Sequence, residues 1–149
     1  MTVLGDDIRV CTLANQYSGW DKIGGFGTMA RRLAEGLASR SVEMSVIVPR
    51  RKGQGPVDLI AGVEVRSFPS WDILAAANQL RRSRATVFHS QEPTALSSLA
   101  RRVRPRAVHI VTCRDPRDLT DWRIEFRDAT WTRRSKIPLN YLLESSFIV

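Results

Sequence analysis

The chain has 149 residues, of which 43% are hydrophobic and 26% charged. That balance suits one soluble globular domain and excludes a disordered segment; no apolar run reaches the roughly 18–20 residues of a membrane-spanning helix. Lys and Arg number 23 against 15 Asp and Glu, a formal charge of +8 carried almost wholly by arginine. Such a surplus favours phosphorylated ligands, an anionic lipid surface or nucleic acid.

Elements alternate from the start. Ile8–Leu13 is short, apolar and bounded by Gly5-Asp6-Asp7, and so reads as a strand. Ala14–Ile23 is polar and reads as a loop. Thr28–Ser39 changes to helical periodicity, with Met29, Leu33 and Leu37 as the apolar stripe and Ala30, Ala34 and Ala38 beside them. Glu43–Pro49 is a second strand, apolar enough to be covered on both faces. Arg50–Pro56 reads as an exposed loop and Gly62–Phe68 as a third strand.

Trp71–Arg82 follows as a helix with Ile73, Leu74, Ala77 and Leu80 on its apolar side. Ala85–His89 is the fourth strand, Pro93–Val103 a helix with Pro93 near its first turn, and Ala107–Cys113 the fifth strand. Arg114–Ser135 has mixed charge and no clear strand, and Ile137–Phe147 is a candidate helix. Cys11 and Cys113 show no metal-ligand spacing and read as buried free thiols in a reducing compartment. The order β-α-β-β-α-β-α-β predicts a Rossmann-like α/β/α sandwich of three layers around a mostly parallel sheet. Ligands of such sheets bind outside the carboxyl ends of the strands. That selects Asn15–Thr28, Pro49–Pro56, His89–Pro93 and Arg114–Asp121 as the loops to read.

The most informative of these is Gly24-Gly25-Phe26-Gly27-Thr28, where the first helix begins. Glycines there let backbone approach a ligand, and free N–H groups at the positive end of a helix favour phosphate or carboxylate. A loop that merely needs positive φ is the alternative. Gly25 to Ala30 also matches the G-x-G-x-x-A dinucleotide fingerprint. That fingerprint should follow its strand almost at once, and here ten residues intervene. Its ribose-binding acid is replaced by Pro49-Arg50-Arg51, which leaves an NADP-binding oxidoreductase domain using Arg50 as a second reading.

Four segments in order carry a resemblance. They are Gly24-Gly25-Phe26-Gly27 with Leu33 and Leu37, then Glu43–Pro49, then Val87-Phe88-His89-Ser90-Gln91-Glu92-Pro93, then Val111-Thr112-Cys113-Arg114-Asp115-Pro116. Together they resemble the N-terminal domain of the GT-B glycosyltransferases of family 4 (group 1), over about residues 8 to 116. The resemblance implies a retaining sugar transfer from a nucleotide-sugar donor to a sugar, lipid-linked or small-molecule acceptor. It implies an acceptor-side domain over residues 1–149, with a C-terminal donor-binding domain absent from this chain, so that the isolated chain would be inactive or nearly so. By position it places Gly24, Gly25, Gly27 and Thr28 at the donor phosphates, and His89, Glu92, Arg114 and Asp115 at the acceptor or sugar. No catalytic residue, metal or cofactor is assigned, the nucleotide sugar being a substrate.

Departures from the family pattern are Arg114 in place of a histidine, Gln91 in place of a second one, and Ser41 where a small residue is common. An arginine stays cationic and can bind but not act as a base. Glu35 and Glu43 match the spacing of the family's E-x7-E motif, but belong to the end of the sheet away from the ligand loops. His109, within a strand, reads as a core or sheet-face residue. The cluster Arg123, Arg127, Arg133, Arg134 and Lys136, with Trp122, Phe126 and Trp131, has three readings. It could meet an anionic membrane surface or a lipid-phosphate acceptor, bind single-stranded nucleic acid, or be a solvated basic face over core aromatics. The expectation is a cytoplasmic protein, peripheral at the inner face of the membrane, with no nucleic-acid partner. A basic nucleic-acid-binding module is the third reading of the whole chain.

Overall fold

The computed structural model describes residues 8–17, 24–112 and 118–145. Six strands form one sheet in the order β3-β4-β2-β1-β5-β6. They are β1 (Arg9–Leu13), β2 (Glu43–Pro49), β3 (Val57–Ile60), β4 (Val63–Phe68), β5 (Val87–Ser90) and β6 (Val108–Val111). All neighbours run parallel except β3 and β4. The helices are α1 (Gly25–Ala38), α2 (Ile73–Arg82), α3 (Ala95–Val103), α4 (Leu119–Asp128), α5 (Trp131–Arg134) and α6 (Ile137–Ser145). The predicted Rossmann-like α/β fold is what forms.

Alternating side chains divide the core into two. One face of the sheet, with Cys11, Leu13, Ile47, Phe68 and Phe88, packs under α2 and α3 through Ala76, Leu80 and Ala100. The other face, with Met44, Val46, Val48, Val63 and Val65, packs under α1 through Ala30 and Ala34. The sheet is therefore the middle of three layers. β2, central and covered on both sides, is buried at five consecutive positions.

Several sequence expectations change. The first helix begins at Gly25, three residues before the expected Thr28, so Gly25 and Gly27 belong to its first turn. Its buried line is Gly27, Ala30 and Ala34, whereas Met29 is exposed. Small side chains let the helix approach the sheet closely, and that contact overrides the poor helix propensity of glycine. On α2 the buried residues are Ala76, Ala77, Gln79 and Leu80, while Ile73 and Leu74 face outward. Asp72 caps that helix by accepting from the Ala75 N–H at 2.8 Å. Pro93 lies before the α3 cap, Thr94, which forms a capping box with Ser97.

Val57–Ile60, left unassigned between the expected loop and the expected strand, is an edge strand, joined to β4 through Ala61-Gly62, both with positive φ. That is the twist a two-residue hairpin turn requires. In the tail, α4 and α5 occupy the stretch in which no clear strand is read from the sequence. Cys11 is a free, buried thiol, and Cys113 lies outside the described residues.

Ser41 follows α1 with φ of 61°. An L-residue in the left-handed region costs about 1–2 kcal/mol, part of which glycine returns through the unfolded chain's entropy. Ser41→Gly is expected to stabilise the fold by about 0.5–1 kcal/mol in urea unfolding. A destabilised variant would show that the serine side chain holds this turn.

Burial also sets an alkaline limit. It pushes the Cys11 thiol from 9.0 up to about 12, and the Tyr17 phenol from 10.0 up to about 12, with Glu35 adding to the shift. The folded chain thus holds both protons more tightly than the unfolded chain. Stability from this source is complete below pH 9 and falls as pH rises from 9 toward 12. Tyr17→Phe should flatten that decline and leave a residual slope from Cys11. An unchanged alkaline slope in the variant would place the lost protons elsewhere.

Candidate functional site

Strand order reverses between β1 and β5, since the chain runs outward from β1 through β2 and β4, then returns to β5 on the other side. A crevice opens at such a switch point beyond the carboxyl ends of the strands. A cavity of about 300 Å3 lies there. Leu13, Ala14, Asn15 and Gln16 form its β1 wall, Gln91 and Glu92 its β5 wall, and Gly24 and Phe26 of the α1 start close it.

Local chemistry fixes each wall. The Asn15 Nδ2 donates to Glu92 Oε1 at 2.6 Å, which ties the two strand ends together across the crevice. Gln91 is buried, and its Nε2 lies 3.4 Å from His89 Nδ1. Ser90 Oγ meets Ser97 Oγ at 2.7 Å, so the β5 end is anchored to the first turn of α3.

At the helix start, Gly24 caps α1 from extended backbone, φ −83° and ψ −172°. None of the three glycines has positive φ, so a turn demanding left-handed backbone is not what requires them. The Gly24 N–H is occupied, donating to Gln16 Oε1 at 2.9 Å. The Thr28 N–H and Oγ both bond the Gly24 carbonyl. This narrows the open amides to Gly25, Phe26 and Gly27, which in helix geometry have no intrahelical acceptor. A Cβ at Gly25 would meet nothing within 4 Å, so open space stands over that backbone. No acidic side chain lies in the first turn.

The expected site residues are distributed as follows. Gly24 and Glu92 line the cavity, and Gly25 stands beside it at the helix start. Gly27 is buried, and Thr28 spends its hydroxyl within the helix. His89 reaches the same edge but is absent from the cavity wall; its Nε2 meets Thr112 Oγ1 at 2.9 Å. Arg114 and Asp115 lie outside the described residues. Asn15, Gln16, Phe26 and Gln91 are the wall residues that sequence reasoning missed. The signal for Asn15, Gln16 and Gln91 is their place just after strand ends, and for Phe26 its place among the glycines at the start of α1.

Other candidates fall away from this edge or into structural roles. Arg50 Nε donates to Ser67 Oγ at 2.9 Å and its Nη2 to the Ser67 carbonyl at 3.2 Å, and Arg50 does not line the switch-point cavity. Glu35 and Glu43 share a cavity of about 410 Å3 with Arg9 and Ala61 at the amino ends of the strands. His109 stacks on Phe88 at 5.4 Å and bonds the Arg104 carbonyl.

In the basic tail, Trp122 is buried edge-on to Tyr141. Arg133 pairs with Glu125 and Arg127 with Asp128. Arg134 covers the Phe126 ring. Much of that cluster is thus engaged within the tail, though Trp131 stands exposed.

Among the described residues no group of three or more His, Cys, Asp or Glu is placed to hold a metal, and no helix is long and apolar enough to cross a membrane. No curated protein and no solved structure matches the chain. Glycosyltransferase Family 4 matches residues 23–146, well over half of the sequence, and the chain belongs to that family.

Proposed function

We propose that this domain is the acceptor-side half of a two-domain glycosyltransferase acting on a nucleotide-sugar donor, whose diphosphate reaches the first turn of α1. The observation that carries this reading is the open backbone at Gly25, between Gly24 and Phe26 of the crevice wall at the switch point of a parallel sheet. Three amides and the helix dipole supply positive potential there without a side chain. In sugar transfer the negative charge grows on the departing diphosphate, so donors aimed at it stabilise the transition state more than the ground state.

Glu92, held by Asn15, is positioned to accept a hydrogen bond from a sugar or acceptor hydroxyl. Carboxylates that grip the donor sugar are expected from a second domain, because Glu35 and Glu43 lie at the opposite end of the sheet. The proposal keeps His89, Arg114 and Asp115 as acceptor-side binding residues. It includes a cytoplasmic setting at the inner membrane face, where a +8 chain is drawn to anionic lipid.

Calorimetric titration with a nucleoside diphosphate, NADP+ and an unrelated DNA single strand tests this reading. The diphosphate is expected to bind with a dissociation constant of about a millimolar or tighter. NADP+ bound tenfold more tightly than the diphosphate would replace the proposal by the oxidoreductase reading. Steeply salt-dependent DNA binding without diphosphate binding would replace it by the nucleic-acid reading.

A further inference from the structure

A second cavity, about 420 Å3, opens at the same edge of the sheet between the N-terminal parts of α2 and α3. Its character is different. Phe68, Ile73, Ala76, Leu96 and Leu99 form its apolar wall, with Leu139 of α6 beside them. Two of its polar groups are already used as helix caps: Asp72 accepts from Ala75, and Thr94 from Ser97. At the start of α2 three large apolar side chains stand in water, Trp71 at 83%, Ile73 at 69% and Leu74 at 82% exposure, and Ile73 is part of the groove wall. Clustered exposure of this kind marks a surface that meets apolar material.

Two further observations say what kind. Asn15 lines both this groove and the switch-point cavity, so a molecule lying in the groove ends beside the donor site. Two cations stand nearby. Arg51 reaches over with Nη2 3.4 Å from the Asn15 carbonyl, and Arg102 lines the groove. Neither has a carboxylate partner among the described residues. An apolar trough beside guanidinium groups that no carboxylate among the described residues neutralises complements an anionic amphiphile, not a neutral soluble sugar.

We infer that the α2–α3 groove holds the hydrocarbon chain of a lipid acceptor whose anionic head lies at Asn15 and Arg51. This rests on the glycosyltransferase reading above and narrows its acceptor to a single-molecule amphiphile.

The test uses hexyl, octyl and decyl phosphate below their micelle concentrations, with inorganic phosphate as the head alone, followed by calorimetry. Affinity is expected to rise about three- to fourfold per methylene. Ile73→Asp, a change at an exposed position, is expected to flatten that dependence. Arg51→Gln is expected to weaken every chain length about tenfold and keep the slope. Affinity independent of chain length would overturn the inference, as would a slope unchanged in Ile73→Asp. Binding to anionic vesicles without binding to the monomeric amphiphiles would also overturn it, in favour of surface docking. A nucleoside diphosphate titrated in parallel separates the two readings. Diphosphate binding without a chain-length slope defeats the groove alone, and a slope without diphosphate binding defeats the donor assignment alone.

Discussion

Gly25→Asp is expected to leave the domain at least as stable as the parent while weakening nucleoside-diphosphate binding tenfold or more. The two effects have opposite signs for one reason. The first turn of α1 carries no acidic residue and presents uncompensated amides. A carboxylate there interacts favourably with the helix dipole, by about 0.3–1 kcal/mol, and replaces a residue of poor helix propensity. The space over Gly25 is empty, so the side chain meets no protein atom within 4 Å at its Cβ. That same carboxylate would occupy the place proposed for the phosphate and repel it. Gly25→Ala separates charge from bulk, and should bind within a few-fold of the parent. Thermal unfolding by circular dichroism and titration calorimetry read the two halves. Unchanged diphosphate affinity in Gly25→Asp would place the donor elsewhere on the surface.

Phe88→Ala is expected to cost about 3–5 kcal/mol in urea unfolding, a large share of the roughly 5–15 kcal/mol that holds a domain together. Phe88 is 1% exposed, lies on β5 beside the switch point, and packs with Cys11, Leu13, Leu80 and Ala100. Its ring also stacks on His109. Removing it opens a void at the meeting of the sheet with α2 and α3, under the strand that delivers Gln91 and Glu92 to the cavity. Trp71→Ala is the contrast. Being larger but exposed, it should shift stability by less than about 0.5 kcal/mol. A Phe88→Ala loss below about 1.5 kcal/mol would mean that α2 and α3 collapse readily onto the sheet.

Much of this architecture could be read from pattern alone. The strands Glu43–Pro49 and Gly62–Phe68 announce themselves because parallel strands under helices on both faces need unbroken or alternating apolar runs. Helix boundaries were harder where tertiary contact overrode local preference. Three glycines read as a loop, yet a buried Gly27 lets α1 lie close to the sheet and draws its first turn into helix. β3 was missed because it is only four residues long with Asp58 within it, and because Ala61-Gly62 lacks the Asn or Asp that marks a two-residue hairpin. α4 was missed for want of an apolar stripe, although Asp118 and Asp121 form a capping box at its start. Ile73 and Leu74 keep helical spacing but point to water, and periodicity cannot distinguish a core face from an apolar surface.

The site was legible in place more than in detail. The rule of carboxyl edges selected two loops that line the switch-point cavity, Asn15–Thr28 and His89–Pro93, and the glycines marked where α1 begins. What it could not supply was the pairing of strand ends. Asn15 and Glu92 are 77 positions apart and meet only because β1 and β5 are neighbours. Gln16 belongs to no motif and Gln91 departs from one, and an amide acquires its role from the partner it finds. For the same reason Gly24, the residue most suggestive of an open amide, turns out to be bonded to Gln16.

The measurement that bears most directly on the central claim is amide chemical-shift mapping of the 15N-labelled chain during titration with a nucleoside diphosphate. The largest perturbations should fall on Gly25, Phe26 and Gly27, with smaller ones at Asn15 and Glu92, and none at Glu35 or Glu43. Shifts centred on the cavity of Arg9, Glu35 and Glu43, or spread over the basic tail while the α1 start stays silent, would contradict an anion held by helix backbone at the switch point.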